Sequence, residues 1–324
     1  MKEKLDIAIV GATGVVGESL LELLESKELS VGKLVLLASD RSLGKVMYFK
    51  ERSIKIQDVA TFDFSSVNVA IFVAAADASE TFVPKAISAG CKVIDASSYS
   101  RSNANIPLYV ENISTEALGQ SAHIAVADSS AAIVSQVMTA VQQVTQINRA
   151  DVLVYQAASG AGREAVEELV KQTVHMMSGK GREDAPRELM PATLGFNVIK
   201  TDEAYDQQLA SEVVRLTTID AGSVMVSSAW VPVIYGSGFM LHLDLAEALR
   251  EEQLSTAINA IADLSWTKEV VTPADQAAGK EQILVQLAQQ HPHNAKRIAL
   301  WCVADNIRKG VAANILSAVS ALQG

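Results

Sequence analysis

Apolar positions along this chain follow two rhythms. Leu5, Ile7, Ala8, Ile9 and Val10 form a nearly continuous run, after which Val16, Leu20, Leu23 and Leu24 recur at helical spacing with Glu18, Glu22 and Glu25 elsewhere. The first pattern fits a strand buried on both faces and the second an amphipathic helix. The alternation then repeats. "KLVLLAS", "VNVAIFVAAA", "KVIDAS" and "HIAVAD" read as strands, and "SETFVPKAISAG" and "AAIVSQVMTAVQQV" as helices. Strands alternating with helices predict an α/β unit, a doubly wound parallel sheet with helices on both faces.

From about residue 150 the rhythm changes. "DVLVYQAAS" reads as a strand, "GREAVEELVKQTVHMM" as a helix and "SGKGREDAPRELMP" as a polar loop. "SVMVSSAWVPVIYGSGFMLHLDLA" is long and β-rich, broken near Gly236 and Gly238. "EEQLSTAINAIADL" follows as a helix, "KRIALWCVAD" as a strand and "GVAANILSAVSAL" as a final helix. This half predicts an α+β domain. The apolar residues of 223–245 exceed what one small domain covers, so a homodimer built on this domain is expected.

Composition sharpens the picture. At 324 residues the chain is long enough for two cores. A formal net charge of −10 argues against nucleic acid or an anionic membrane as partner, while a local basic pocket for one small anion is still allowed. No apolar run reaches the ~18–20 residues of a membrane span. The start runs directly into a strand without a cleavable signal pattern, so a cytoplasmic protein is expected. The two cysteines, Cys91 and Cys302, sit in apolar strand contexts and read as buried structural thiols. Neither they nor the five scattered histidines show metal-ligand spacing, and no metal is expected.

Three places carry candidate chemistry. "GATGVVG" puts Gly11, Gly14 and Gly17 between strand and helix, where backbone N–H groups can approach a phosphate at the positive end of the helix. The spacing is GxxGxxG rather than GxGxxG, and it is the strand–turn–helix setting that makes it a dinucleotide site. At the end of the next strand, "LLASDRSLGK" offers Ser39, Arg41, Ser42 and Lys45, donors suited to the 2′-phosphate of NADP, with Asp40 as a contrary sign. "IAVADSSAAIVSQV" is a strand-to-helix corner of the kind that holds nucleophiles in α/β enzymes, and it contains two serines and no cysteine.

"IAIVGATGVVG", "LLASDRSLGK", "VIDASSYSR", "YQAASGAG", "GFNVI" and "DNIRKGVA" together resemble the aspartate-semialdehyde dehydrogenase family, in its order and at about its spacing. The resemblance implies a dinucleotide-binding domain over 1–130, an α+β dimerisation and substrate domain over 131–304, and a closing helix over 305–324 that packs back on the first. It implies NADP, phosphate and an acyl-thioester intermediate. It places the cofactor at Gly11, Thr13, Gly14, Val15, Val16, Ser39, Arg41, Ser42, Ser159, Gly160 and Asn306. The active-site glutamine is carried over to Gln156, the phosphate-side arginine to Arg101, and the acid that meets the substrate amine to Glu212.

At the reacting centre the chain departs from the family. The family's turn Asn-Pro-Asn-Cys-Ser-Thr-Ile, matched on Ile133, sets Ser130 at the cysteine, or Ser129 if the turn is one residue off. Its Arg-Val-Pro-Val, two residues, Gly-His becomes Trp230-Val231-Pro232-Val233, then Gly236-Ser237, so the carboxylate-binding arginine is Trp230 and the base histidine is Ser237. The nicotinamide loop also differs, reading "FVAAADAS". His242 lies five residues beyond Ser237, about 16 Å along an unbroken strand and on its other face. The pattern resembles the divergent USG-1 branch of the family. It implies a protein that binds NADP(H) and has lost phosphorylating semialdehyde dehydrogenase activity. Two other readings stay open: an active NADP-dependent oxidoreductase on a different small carbonyl compound, with Ser130, Gln156 and Tyr235 polarising an oxygen, and a dimeric interaction protein whose nucleotide site is vestigial.

Overall fold

The computed structural model describes residues 4–27, 29–114 and 117–323. The first three residues of the expected run into strand one, and Gly324 at the end of the expected closing helix, lie outside them. The chain divides into two compact units, Met1–Asp128 with Val311–Gly324, and Ser129–Gly310.

In the first unit the strands are β1 (Leu5–Val10), β2 (Val31–Ala38), β3 (Val46–Phe49), β4 (Arg52–Lys55), β5 (Gln57–Asp58), β6 (Val69–Phe72), β7 (Lys92–Asp95), β8 (Leu108–Tyr109) and β9 (His123–Val126). Its helices are α1 (Val15–Ser26), α2 (Ala76–Ser88), α3 (Ser98–Arg101), α4 (Ala117–Gln120) and, from the far end of the chain, α9 (Ala313–Ala321). Seven strands form a parallel sheet in the order β5-β2-β1-β6-β7-β9-β8, with β3 and β4 as a separate hairpin. The strand order reverses between β1 and β6, the kind of point at which such sheets bind ligands beyond their carboxyl ends. One face buries Ile7, Ile9, Leu36 and Ile71 under Leu20, Leu23 and Leu24 of α1 and Ile315, Leu316 and Val319 of α9. The other buries Val10, Val35, Phe72 and Val93 against Val83 and Ala86 of α2. Burial on both faces is why these strands read as continuous apolar runs.

The second unit holds α5 (Ser129–Gln142), β10 (Ile147–Gln156), α6 (Arg163–Met177), β11 (Ile199–Lys200), α7 (Glu203–Thr217), β12 (Val224–Trp230), β13 (Ser237–Leu245), α8 (Glu251–Asn259), β14 (Leu264–Trp266), β15 (Ile283–Gln290) and β16 (Arg297–Ala304). Its seven-stranded mixed sheet runs β11-β12-β10-β13-β16-β15-β14. β10 pairs in parallel with β12 and antiparallel with β13. Val137 and Val141 of α5, Leu209 and Val213 of α7 and Leu254 and Ile258 of α8 cover one face, above Val152, Val154, Phe239, Leu241 and Leu300. The opposite face carries Leu153 and Met225, 38% and 57% exposed.

Several elements differ from the sequence expectations. α7, β15 and the β3–β4 hairpin have no counterpart in them. The β-rich run 223–246 is two strands separated by a turn that ends at Gly236, whose φ of 84° suits glycine. The first unit ends at residue 128 rather than 130, and its returning segment begins at 311 rather than 305. The second shift has a visible cause. Asp305 accepts from the Gly279 N–H at 2.6 Å, Asn306 bonds Ser159, and Lys309 reaches Asp263 at 3.0 Å, so residues 305–310 are tied into the second unit. Among the described residues no helix is long and apolar enough to cross a membrane.

Candidate functional site

The glycine turn of the first unit is built by close approach. Gly11 has φ 88°, and a Cβ there would lie 2.6 Å from the carbonyl oxygen of Val73, at the end of β6. A Cβ on Gly17 would lie 2.5 Å from the Ala12 oxygen, so α1 can start this close to the turn only with glycine at that position. Gly14 precedes the helix and offers no side-chain cap, which leaves the first N–H groups at Val15 and Val16 without the usual hydroxyl or carboxylate acceptor. An uncapped helix start beside a glycine turn at the strand-order reversal fits a dinucleotide phosphate.

Thr13 Oγ1 lies 3.2 Å from Ser42 Oγ, which ties this turn to the end of β2. Ser39, Asp40 and Arg41 are exposed there and Ser42 is buried. The Asp40 carboxylate accepts from the backbone N–H of Arg41 at 2.8 Å. That contact satisfies one carboxylate oxygen within its own turn.

Next along the sheet is a polar network absent from the sequence reading. Asp95, fully buried at the end of β7, accepts from Ser79 Oγ at 3.1 Å and from both the N–H and the hydroxyl of Ser97 at 2.8 Å. Ser100 also donates to Asp95, so its oxygen is left to accept from His123 Nε2, 2.8 Å away. Burial holds the His123 imidazole below the ordinary histidine range, while the Asp95 carboxylate pulls in the other direction. The available signal was an acid followed by three serines within five residues. Arg101 ends this segment, with Nη1 donating to the Ala96 carbonyl and Nη2 3.7 Å from Asp128 Oδ2.

In the second unit, six of the residues singled out in the sequence come together beyond the carboxyl ends of β10 and β12. Gln156 pairs in register with Trp230. A Cβ on Gly160 would lie 3.3 Å from the Trp230 ring and 3.7 Å from Gln156 Oε1. Ser159 and Asn306 exchange hydrogen bonds at 3.0 and 3.2 Å, and Asn306 Oδ1 also accepts from the Gly236 N–H at 3.1 Å. Ser237, 2% exposed, accepts from the Ala157 N–H at 3.4 Å. Gln156 Nε2 is buried with no hydrogen-bond partner among the described residues. A buried amide donor left in this state is costly, and it is available to a ligand carbonyl. Trp230 packs against Ala158, Leu169, Met190 and Ile199, an apolar setting for an indole.

Ser129 and Ser130 open α5 and differ in surroundings. Ser130, 3% exposed, sits among Val134, Val152, Leu209 and Val213. Ser129 is half-buried against Gly310, whose added Cβ would lie 2.6 Å from its own Cβ. Glu212 is 1% exposed on α7 and accepts from Gln208 Nε2 at 3.0 Å. His242 is exposed on β13, five residues from buried Ser237 and on the opposite face of an unbroken strand. Neither thiol belongs to this group. Cys91 Sγ donates to the Phe64 and Val67 carbonyls at 3.2 and 3.5 Å, Cys302 is fully buried in β16, and burial pushes both thiols up.

Comparison with known proteins accords with this geometry. Residues 6–121 match the model of the semialdehyde dehydrogenase NAD-binding domain, and residues 138–309 that of the semialdehyde dehydrogenase dimerisation domain. An aspartate-semialdehyde dehydrogenase of Legionella pneumophila is 32% identical over 100% of this chain and 97% of its own. A USG-1 protein homolog of Pseudomonas aeruginosa is 31% identical over 97% of this chain and 96% of its own. The crystal structure of aspartate semialdehyde dehydrogenase II from Vibrio cholerae superimposes with a TM-score of 0.92 at 30% identity, covering 99% of this chain and 98% of that one.

Proposed function

The chain belongs to the aspartate-semialdehyde dehydrogenase family, and from that premise we propose that it is a cytoplasmic, homodimeric, NADP(H)-binding member that has lost the phosphorylating semialdehyde dehydrogenase activity. The observation that carries the reading is the placement of its two thiols. Both are buried, Cys302 within β16 and Cys91 just before β7, burial pushes both thiols up, and neither lies among the residues gathered at Gln156. The thiolate is the nucleophile in cysteine chemistry, so a thiol in such a setting cannot serve.

The substitutions around Gln156 support it. A serine at the base position has no titration near neutral pH, and the Ser237 oxygen already accepts from the Ala157 N–H. Trp230 has no charge to hold a carboxylate and lies against Gly160. The Ser129 register suits the nucleophile position better than Ser130, whose side chain is packed among apolar groups. In either register a serine hydroxyl is a weaker nucleophile than a thiolate and depends on a base to activate it.

NADP(H) rather than NAD(H) is supported by Ser39, Arg41 and Ser42 at the end of β2. The homodimer is supported by the half-apolar open face of the second sheet. The test has two arms. Titration with NADPH, followed by nicotinamide fluorescence, is expected to saturate. NADPH formation from the semialdehyde, NADP and phosphate is expected to stay at trace level. Turnover within tenfold of a typical enzyme's ~10 s⁻¹ would overturn the loss of activity. Absent saturation would favour the vestigial-site reading. Turnover of NADPH with other aldehydes or ketones would favour altered chemistry, for which the unpartnered Gln156 amide is the specific support.

A further inference from the structure

β7 and β9 are neighbours in the first sheet, and the segment after each carries one member of an ion pair. Arg101 closes α3, anchored through Nη1 to the Ala96 carbonyl; its Nη2 lies 3.7 Å from Oδ2 of Asp128, two residues past β9. The two side chains are only 13% and 14% exposed. Both stand beyond the carboxyl ends of parallel strands, the edge at which doubly wound sheets receive ligands. We infer that Asp128 is an internal anion that occupies the Arg101 guanidinium and excludes inorganic phosphate from it, so that any reaction this chain performs runs without inorganic phosphate as co-substrate. The inference rests on the assignment of Arg101 to the phosphate side.

The argument is electrostatic. A lone guanidinium at this edge would be a forked donor suited to a phosphate's paired oxygens. With Asp128 at 3.7 Å a carboxylate offsets the charge of the guanidinium, and a phosphate within hydrogen-bond reach of Nη2 would also lie close to that carboxylate. Like charges at that separation and low exposure are weakly screened by salt, and one of them has to be expelled or protonated. An asparagine in the same place would carry no charge and could donate through its amide. Asp128 is therefore a specificity-determining residue: it sets which anions the arginine can take without itself touching a reacting atom.

The test is binding of inorganic phosphate by isothermal titration calorimetry at constant ionic strength and near-neutral pH. The full chain, Arg101→Ala, Asp128→Asn, Asp128→Ser and the Asp128→Asn/Arg101→Ala double variant are compared. The parent is expected to show no phosphate binding that Arg101→Ala removes. Asp128→Asn is expected to bind phosphate at least about tenfold more tightly than the parent, with the gain lost in the double variant. Phosphate binding by the parent that disappears in Arg101→Ala overturns the inference. So does the absence of a gain in an Asp128 variant that melts as the parent does. If neither Asp128 variant folds, the parent against Arg101→Ala decides. The readout is binding and not turnover, so an active, phosphate-independent enzyme would leave this inference standing while removing the loss of activity proposed above.

Discussion

Arg41 sits on an exposed 3-10 turn at the end of β2, and its backbone N–H is already used by Asp40. Its guanidinium therefore matters for what it meets from outside the fold. Arg41→Ala is expected to weaken NADP(H) by roughly 1–3 kcal/mol, the scale of one hydrogen bond to a charged group, and to leave NAD(H) nearly unchanged. Parallel fluorescence titrations with the two cofactors check this, and equal affinities in the unsubstituted protein would remove its basis. His123 yields a prediction of another kind. Its folded pKa lies below the unfolded value near 6.5, because burial disfavours the imidazolium. As pH falls from about 6.5 through the depressed folded value, the unfolded chain takes up a proton that the folded chain does not. Stability contributed by neutral His123 is thus present above that window and lost through it on acidification. Denaturant unfolding across mildly acidic pH should show this slope, and His123→Gln, which keeps an amide donor toward Ser100, should flatten it.

At the scale of elements, α6 does more than cover an edge of the second sheet. Glu168 and Gln172, one turn apart and both buried, hold the segment that follows the helix. The Glu168 carboxylate accepts from the N–H groups of Glu188 and Leu189 at 2.8 Å and Met190 at 3.4 Å. Gln172 Oε1 accepts from Leu194 at 2.8 Å and Gly195 at 3.0 Å, and its Nε2 donates to Pro186 at 2.8 Å. A stretch that reads as a polar loop is thereby fixed by two side chains of the preceding helix. Glu168→Ala would strand these donors in a buried place and is expected to cost roughly 2–4 kcal/mol of unfolding free energy, several charge-assisted bonds less what water recovers. Urea unfolding measures this, together with faster proteolysis within residues 182–195. A change under about 0.5 kcal/mol, the range of an ordinary surface substitution, would show that the loop holds its conformation without the carboxylate.

At the scale of the whole molecule, the long helices α5, α7 and α8 cover one face of the second sheet, and part of the other is covered by the turn Pro273–Ala277 against Val303 and Trp301. That other face mixes Leu153 and Met225 with ion pairs, Arg149 to Asp151 at 3.0 Å and Arg297 to Asp244 at 2.7 Å. Apolar centres flanked by both signs of charge suit self-association through a two-fold axis, where one patch meets its copy. Light scattering is expected to give twice the 34.5 kDa chain mass at micromolar concentration. Met225→Asp with Leu153→Lys should lower the mass toward one chain while far-UV circular dichroism stays unchanged. A monomer in the unsubstituted protein would leave the open face without this explanation.

What could be read from residues alone was whatever depends on local periodicity and on local backbone chemistry. The apolar runs of β1, β6 and β7 mark strands because both of their faces are buried, and the 3.6-residue recurrence in α1 marks a helix because only one of its faces is. Gly17 is legible because the steric demand that requires glycine arises within a single strand–turn–helix unit, whereas the close approach at Gly11 comes from Val73, after β6. The proposed replacements at Ser237 and Trp230 are legible because each lies in a short motif of fixed spacing. Tertiary structure decided the rest. The surroundings that distinguish Ser129 from Ser130, Gly310 beside the first and Val152 and Leu209 near the second, are made by segments far apart in the chain. α7 is held by a core it shares with α5, β10 and β12, and its own residues are too polar to announce it. The Asp95 network and the Arg101–Asp128 pair depend on β7 lying beside β9, a pairing across some thirty residues that no local pattern encodes. Hydrophobic periodicity reports which way a side chain points, and only the packed sheet reports which side chain it points at.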